Sequence, residues 1–100
     1  MILITKELPD EFKDDIIEAI KILNNAGCKE VYIFGSLVRG NYNEFSDIDI
    51  AVRGLSKKIF FEIGGKLLMN LKHKFDLVEL EEGNSFSEFI EENEVFIRVA

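Results

Sequence analysis

Apolar residues recur at helical spacing from the first tenth of the chain. Phe12, Ile16, Ile17, Ile20 and Leu23 fall on one stripe, the 3.6-residue period of an amphipathic helix. Pro9-Asp10-Glu11 opens it: proline is tolerated in a first turn, and acids there suit the helix dipole. Gly27 ends it as a C-terminal cap. The period then changes. Residues 31–34 are a short apolar run that reads as a buried strand. Residues 35–40 form a turn opening into a short helix, and 41–46 form a polar loop. Residues 47–53 alternate and read as a second strand. Ser56 caps a further helix whose apolar positions are Ile59, Phe60, Ile63, Leu67, Leu68 and Leu71. Gly64-Gly65 interrupts that helix at a cost of about 1 kcal/mol per glycine relative to alanine, and close packing or a kink would each account for the pair. Residues 75–80 are a third strand. Ser85 and Glu88 have capping-box spacing before a last short helix, and 95–99 form a final strand. The order α-β-α-β-α-β-α-β predicts an α/β fold, a mixed sheet flanked by helices, because some connections are too short for regular parallel crossovers.

Composition bounds the reading. A chain of 100 residues predicts one domain, spanning 1–100. It is 47% hydrophobic and 31% charged, the balance of a water-soluble globular protein. No apolar run approaches the roughly 20 residues of a membrane helix. The start, Met1 through Glu7, turns acidic too early for a signal peptide. The single Cys28 has no internal disulfide partner. Together these features lead us to expect a cytoplasmic protein. A net charge of −7 argues against nonspecific binding to nucleic acid, which needs lysines and arginines to displace counterions. It leaves room for a nucleotide bridged by metal ions, and it suits a basic protein partner.

Three short segments carry candidate chemistry. In Ser46-Asp47-Ile48-Asp49-Ile50-Ala51-Val52, alternation puts Asp47 and Asp49 on one face and Ile48, Ile50 and Val52 on the other. Paired carboxylates repel unless water solvates them or a cation sits between them, and Mg²⁺ favours such hard oxygen donors. Two solvated acids on an edge strand is the plainer alternative. In Phe34-Gly35-Ser36-Leu37-Val38-Arg39-Gly40, Gly35 allows a ligand close to the backbone, and free N–H groups at a helix start attract phosphate. An ordinary turn capped by Ser36 would look the same. In Phe75-Asp76-Leu77-Val78, Asp76 completes a three-carboxylate site only if its strand lies beside the second one. Taken together, a phosphate-binding turn, a carboxylate pair and a third acid are the parts of a two-metal phosphoryl-transfer site.

Gly35-Ser36, Arg39-Gly40 and Ser46-Asp47-Ile48-Asp49 resemble the GSxxRG…SDxD signature of the minimal nucleotidyltransferases, in the DNA polymerase beta-like superfamily, and Asp76 resembles that family's third aspartate. The resemblance runs through nearly the whole chain; Val38, where the family often has alanine, and Gly64-Gly65 depart from it. It implies the polymerase beta-like nucleotidyltransferase fold. It further implies that Asp47, Asp49 and Asp76 are catalytic and bind two Mg²⁺ ions, and that Gly35, Ser36 and Arg39 bind the nucleotide. The implied activity moves AMP, or another nucleoside monophosphate, from ATP onto a hydroxyl. The implied setting is an antitoxin like MntA that adenylylates a tyrosine of an all-helical HEPN toxin. Two alternatives stay open: a binding module that neutralises a helical partner by covering it, and a small-molecule nucleotidyltransferase whose pocket a partner subunit or a second copy completes. His73, in the basic turn Lys72-His73-Lys74, reads as a solvated loop residue, and Cys28 as a half-buried thiol without a nucleophilic role.

Overall fold

The computed structural model describes residues 8–81 and 85–100. The segment weighed as a signal peptide and the Ser85 side chain of the capping box lie outside what is described. The elements run α1 (Asp10–Asn25), β1 (Glu30–Phe34), α2 (Ser36–Arg39), β2 (Ile48–Arg53), α3 (Lys57–Asn70), β3 (Phe75–Glu79), α4 (Ser85–Asn93) and β4 (Ile97–Arg98). This is the order the hydrophobic pattern predicts. The last strand is shorter than 95–99, with Val95 exposed, although backbone bonds to Val31 continue through Val99 and Ala100.

The sheet order is β3-β2-β1-β4. β1 pairs antiparallel with both β2 and β4, and β2 pairs parallel with β3. The one parallel step is the one spanned by α3, since parallel neighbours need a long crossover. Alternation divides the side chains between two faces. Val31, Ile33, Ile48, Ile50 and Val52 pack with Phe12, Ile16, Ile20 and Leu23 of α1 and with Ile63 and Leu67 of α3 in the main core. Phe34, Ala51 and Val78 face the other way, against Ile90 of α4 and Phe96. Arg53 fastens α4 to the sheet through an ion pair with Glu91.

α1 ends in a Schellman motif. The Cys28 N–H donates to the Leu23 carbonyl at 3.1 Å and the Gly27 N–H to the Asn24 carbonyl at 3.0 Å, with Gly27 at φ 87°. Glycine stands there for its backbone alone, because an added Cβ would meet nothing. Gly27→Ala should therefore cost about 1–2 kcal/mol, the left-handed penalty. Gly64 and Gly65 are the opposite case. They lie inside an unbroken α3 with open space around each added Cβ, so packing does not account for the pair. Gly65→Ala should stabilise by about 1 kcal/mol. Thermal melts of the two variants should thus shift in opposite directions.

The buried stripe of α3 is Ile59, Phe60, Ile63, Leu67 and Leu71. Leu68, predicted to belong to it, is 75% exposed, since one residue past Leu67 turns it about 100° off the stripe. Cys28 is half-buried as predicted. Its thiol donates to the carbonyls of Glu30 and Arg53, and burial pushes its pKa up, which disfavours the thiolate.

Candidate active site

The carboxylates gather where β1 ends and β2 and β3 begin. Asp49 pairs with Asp76 across the parallel β2–β3 ladder and with Phe34 across β1–β2. Both acids lie on the sheet face opposite α1 and α3, because their neighbours Ile48, Ile50, Phe75 and Leu77 pack into the main core. Asp47 stands just before β2 rather than inside it, near enough for its charge to act on Asp49. The three predicted acids are thus brought together.

Their mutual repulsion falls most heavily on Asp49. Burial, then the negative charges of Asp76 and Asp47, then a hydrogen bond to Asp76 push its pKa up to about 6, against the opposing pull of the Arg39 guanidinium. A half-buried acid beside two others holds its proton to a higher pH than usual and favours a cation in its place. That donor set, hard oxygens with excess negative charge, fits a divalent cation. Among the described residues, no three His, Cys, Asp or Glu side chains already converge on one ion position.

Gly35 makes the turn that brings the backbone at the start of α2 beside these acids. It has φ 77° and ψ −147°, a region open essentially to glycine alone. A Cβ on it would stand 1.9 Å from Asp49 Oδ2. Gly35, not Ser36, is the N-cap of α2, and no side chain caps that helix. Ser36 is the first helical residue instead, and its hydroxyl does not cap α2. Helix geometry leaves the N–H groups of Ser36 and Leu37 without an internal acceptor. Gly40 closes α2 in the left-handed conformation at φ 88°, which accounts for the second glycine of the motif. Arg39 is exposed and bonds Glu94, just past α4, at 2.7 Å, so it ties α2 to the end of the opposite helix.

Beside Asp47 opens a cleft of about 300 Å³, between the 44–47 loop and the 72–74 turn. His73 lies on its wall and is not the solvated residue its basic neighbours suggest. Its ring tilts against Phe12, with centroids 4.3 Å apart, and its Nδ1 lies 2.7 Å from Asp15 Oδ2. Asp15 is 4% exposed and also accepts the backbone N–H groups of Lys72 and His73. Burial pushes the Asp15 carboxyl up, but the bonds from His73 and Lys72 outweigh it and hold the pKa below the ordinary value. A sequence signal for this pair exists in retrospect: Asp15 sits on the apolar stripe of α1, three residues after Phe12 and one before Ile16.

The polymerase beta nucleotidyltransferase family model matches residues 16–98, a span that contains Gly35, Ser36, Arg39 and all three acids. A search of curated proteins gave no match. Among solved structures, a toxin–antitoxin crystallised with AMP-PNP has a chain 28% identical at a TM-score of 0.61, with 84% of this chain and 70% of that one covered. The toxin–antitoxin MntA-HpeT carrying two aspartate-to-glutamate substitutions gives 26% identity and a TM-score of 0.60, over 80% and 69%. The tri-AMPylated Shewanella oneidensis HEPN toxin in complex with MNT antitoxin gives 28% and 0.52, over 74% and 60%. In these structures, as in the mixed four-stranded sheet and the family match, one fold recurs, and the chain belongs to the polymerase beta nucleotidyltransferase family.

Proposed function

We propose that this chain transfers AMP from ATP, with Mg²⁺, to a tyrosine hydroxyl of a helical HEPN-type partner, and thereby acts as its antitoxin. The observation that carries the chemistry is the pairing of Asp49 with Asp76 beside Asp47, within reach of the Gly35 turn. The partner rests on similarity to complexes of MNT antitoxins with HEPN toxins, and the nucleotide on one such complex crystallised with AMP-PNP and another whose HEPN toxin is tri-AMPylated.

Asp47, Asp49 and Asp76 would hold the metal ions, which supply charge neutralisation and a polarised triphosphate. The N–H groups of Ser36 and Leu37 and the Ser36 hydroxyl bind the phosphates. Arg39 steadies the α2 turn and adds a positive charge beside them. The acceptor oxygen attacks the α-phosphorus of ATP, the bond from that phosphorus to the pyrophosphate oxygen breaks, and pyrophosphate leaves. The hydroxyl proton passes to a base on the protein beside the acceptor.

The test incubates the protein with α-labelled ATP, Mg²⁺ and the product of the neighbouring gene. Label on a tyrosine of the partner, lost in Asp47→Asn and Asp49→Asn, is the expected result. Transfer that survives both substitutions refutes the mechanism. Full neutralisation of the partner in cells by the double variant would move the antitoxin role from catalysis to occlusion.

The raised pKa of Asp49 adds a pH dependence. Protons and cations compete for its oxygens, so cation affinity should fall roughly tenfold per pH unit below about 6 and level off above it. Calorimetric titration with Mn²⁺ from pH 5 to pH 8 checks this.

A further inference from the structure

The proposed function leaves the acceptor without a seat on the protein. We propose that the cleft between the 44–47 loop and the 72–74 turn binds it. In this reading His73 Nε2 receives the hydrogen bond of the acceptor hydroxyl, and Lys72 and Lys74 select an acceptor with acidic residues beside its tyrosine. This inference rests on the nucleotidyl-transfer reading above.

Four observations carry it. Of the three acids, Asp47 lines the cleft, so an acceptor bound there meets the site from the Asp47 side. His73 is oriented: its Nδ1 is fixed at 2.7 Å from a buried carboxylate that also holds the backbone of the turn, and its ring rests on Phe12. A carboxylate on Nδ1 keeps the Nδ1–H tautomer of the neutral imidazole, which makes Nε2 an acceptor. Nε2 has no partner among the described residues, while the side chain is 25% exposed on the cleft wall. Finally, the walls differ in sign. Glu44 and Asp47 line one side, Lys72 and Lys74 the other, and Phe45, 83% exposed, offers an aromatic face at the mouth. An aromatic hydroxyl flanked by carboxylates matches all of these: its ring stacks on Phe45, its O–H reaches His73, and its acidic neighbours meet the lysines.

His73 touches the acceptor in this arrangement. Asp15 acts through His73 and is a positioning residue, in the way a buried carboxylate sets the tautomer and aim of an imidazole.

The experiment uses the whole protein with Mg²⁺, a fluorescent ATP analogue, α-labelled ATP, and two acceptor probes: a glutamate–tyrosine copolymer and a lysine–tyrosine copolymer. Wild type should bind the analogue, bind the glutamate–tyrosine copolymer by anisotropy, and label it in preference to the lysine copolymer. The Lys72→Glu/Lys74→Glu variant should keep ATP binding, raise the KM for the glutamate–tyrosine copolymer at least tenfold, and reverse the preference. His73→Gln and Asp15→Asn should lower kcat/KM for the copolymer at least tenfold with the KM for ATP unchanged, and Asp15→Glu should restore part of the loss. A structural role alone would move melting temperature without that split between the two substrates. If Asp15→Asn fails to fold, His73→Gln and the lysine pair still decide the matter. Unchanged copolymer binding and preference in the lysine variant overturn the inference, as does wild type that binds ATP but neither binds nor labels either copolymer. Wild type that does not bind ATP at all would instead sink the nucleotidyl-transfer reading beneath it.

Discussion

Asp49→Asn should abolish nucleotidyl transfer, lowering kcat at least about 10³-fold, the several kcal/mol that a lost metal ligand costs. The same substitution should make the metal-free protein more stable. Ionised Asp49 is held half-buried against Asp76 and Asp47, and asparagine keeps the shape without the charge. The folded-state pKa is raised to about 6 from 3.8, so in wild type the destabilisation is absent below the unfolded value. It grows as pH rises between the two values and is fully present above about 6. At pH 7 we expect Asp49→Asn to melt roughly 5 °C higher, a change of about 1 kcal/mol in a domain of this size. The gain should vanish near pH 4. Activity and melting measured on one preparation check both halves, and an active variant, or one less stable than wild type at pH 7, contradicts the account.

Gly35→Ala should lose activity and stability together. The backbone at φ 77° and ψ −147° costs a side-chain-bearing residue about 1–3 kcal/mol. Beyond that, the methyl would occupy space 1.9 Å from Asp49 Oδ2 and 2.9 Å from its Cγ. Either the strand ends move apart or the carboxylate swings away, and a reacting group displaced by about 1 Å costs about 10²-fold in rate. The two effects separate in a double-mutant cycle. Pairing Gly35→Ala with Asp49→Ala removes the clash but leaves the backbone strain, so the double variant should be more stable than the sum of the single changes. Additive melting shifts would mean that the two residues do not press on each other.

Much of this site was legible before any coordinates. Asp47 and Asp49 open a run that is otherwise apolar through Val52, and the chemistry of paired carboxylates follows from alternation alone. Their partner Asp76 was legible only conditionally, because one acid in an apolar strand says nothing until the strand order puts it beside Asp49. The structural role of Gly35 was half visible: a turn glycine was expected, but the approach of Asp49 to it depends on the β1–β2 register. The Asp15–His73 pair stayed hidden because its members are 58 positions apart. A histidine between two lysines looks solvated, and an acid one place before Ile16 looks like a helix edge until the turn folds onto it. Leu68 failed for a simpler reason, since the sequence shows apolarity but not which side of a mostly apolar helix finds a neighbour.

β3 lies at the margin of the sheet, paired on one side only. An outer strand is held by one ladder instead of two, and a shift of one residue along a parallel neighbour would turn Asp76 to the helix-covered face. The first two acids arrive with a local antiparallel pair, β1 with β2. The third arrives only when the chain has passed through α3 and docked its outermost strand in register. Catalytic competence in this protein therefore serves as a vernier on one outer edge of its sheet: a molecule can have its helices, its core and two of its acids in place and still be one notch short of an enzyme.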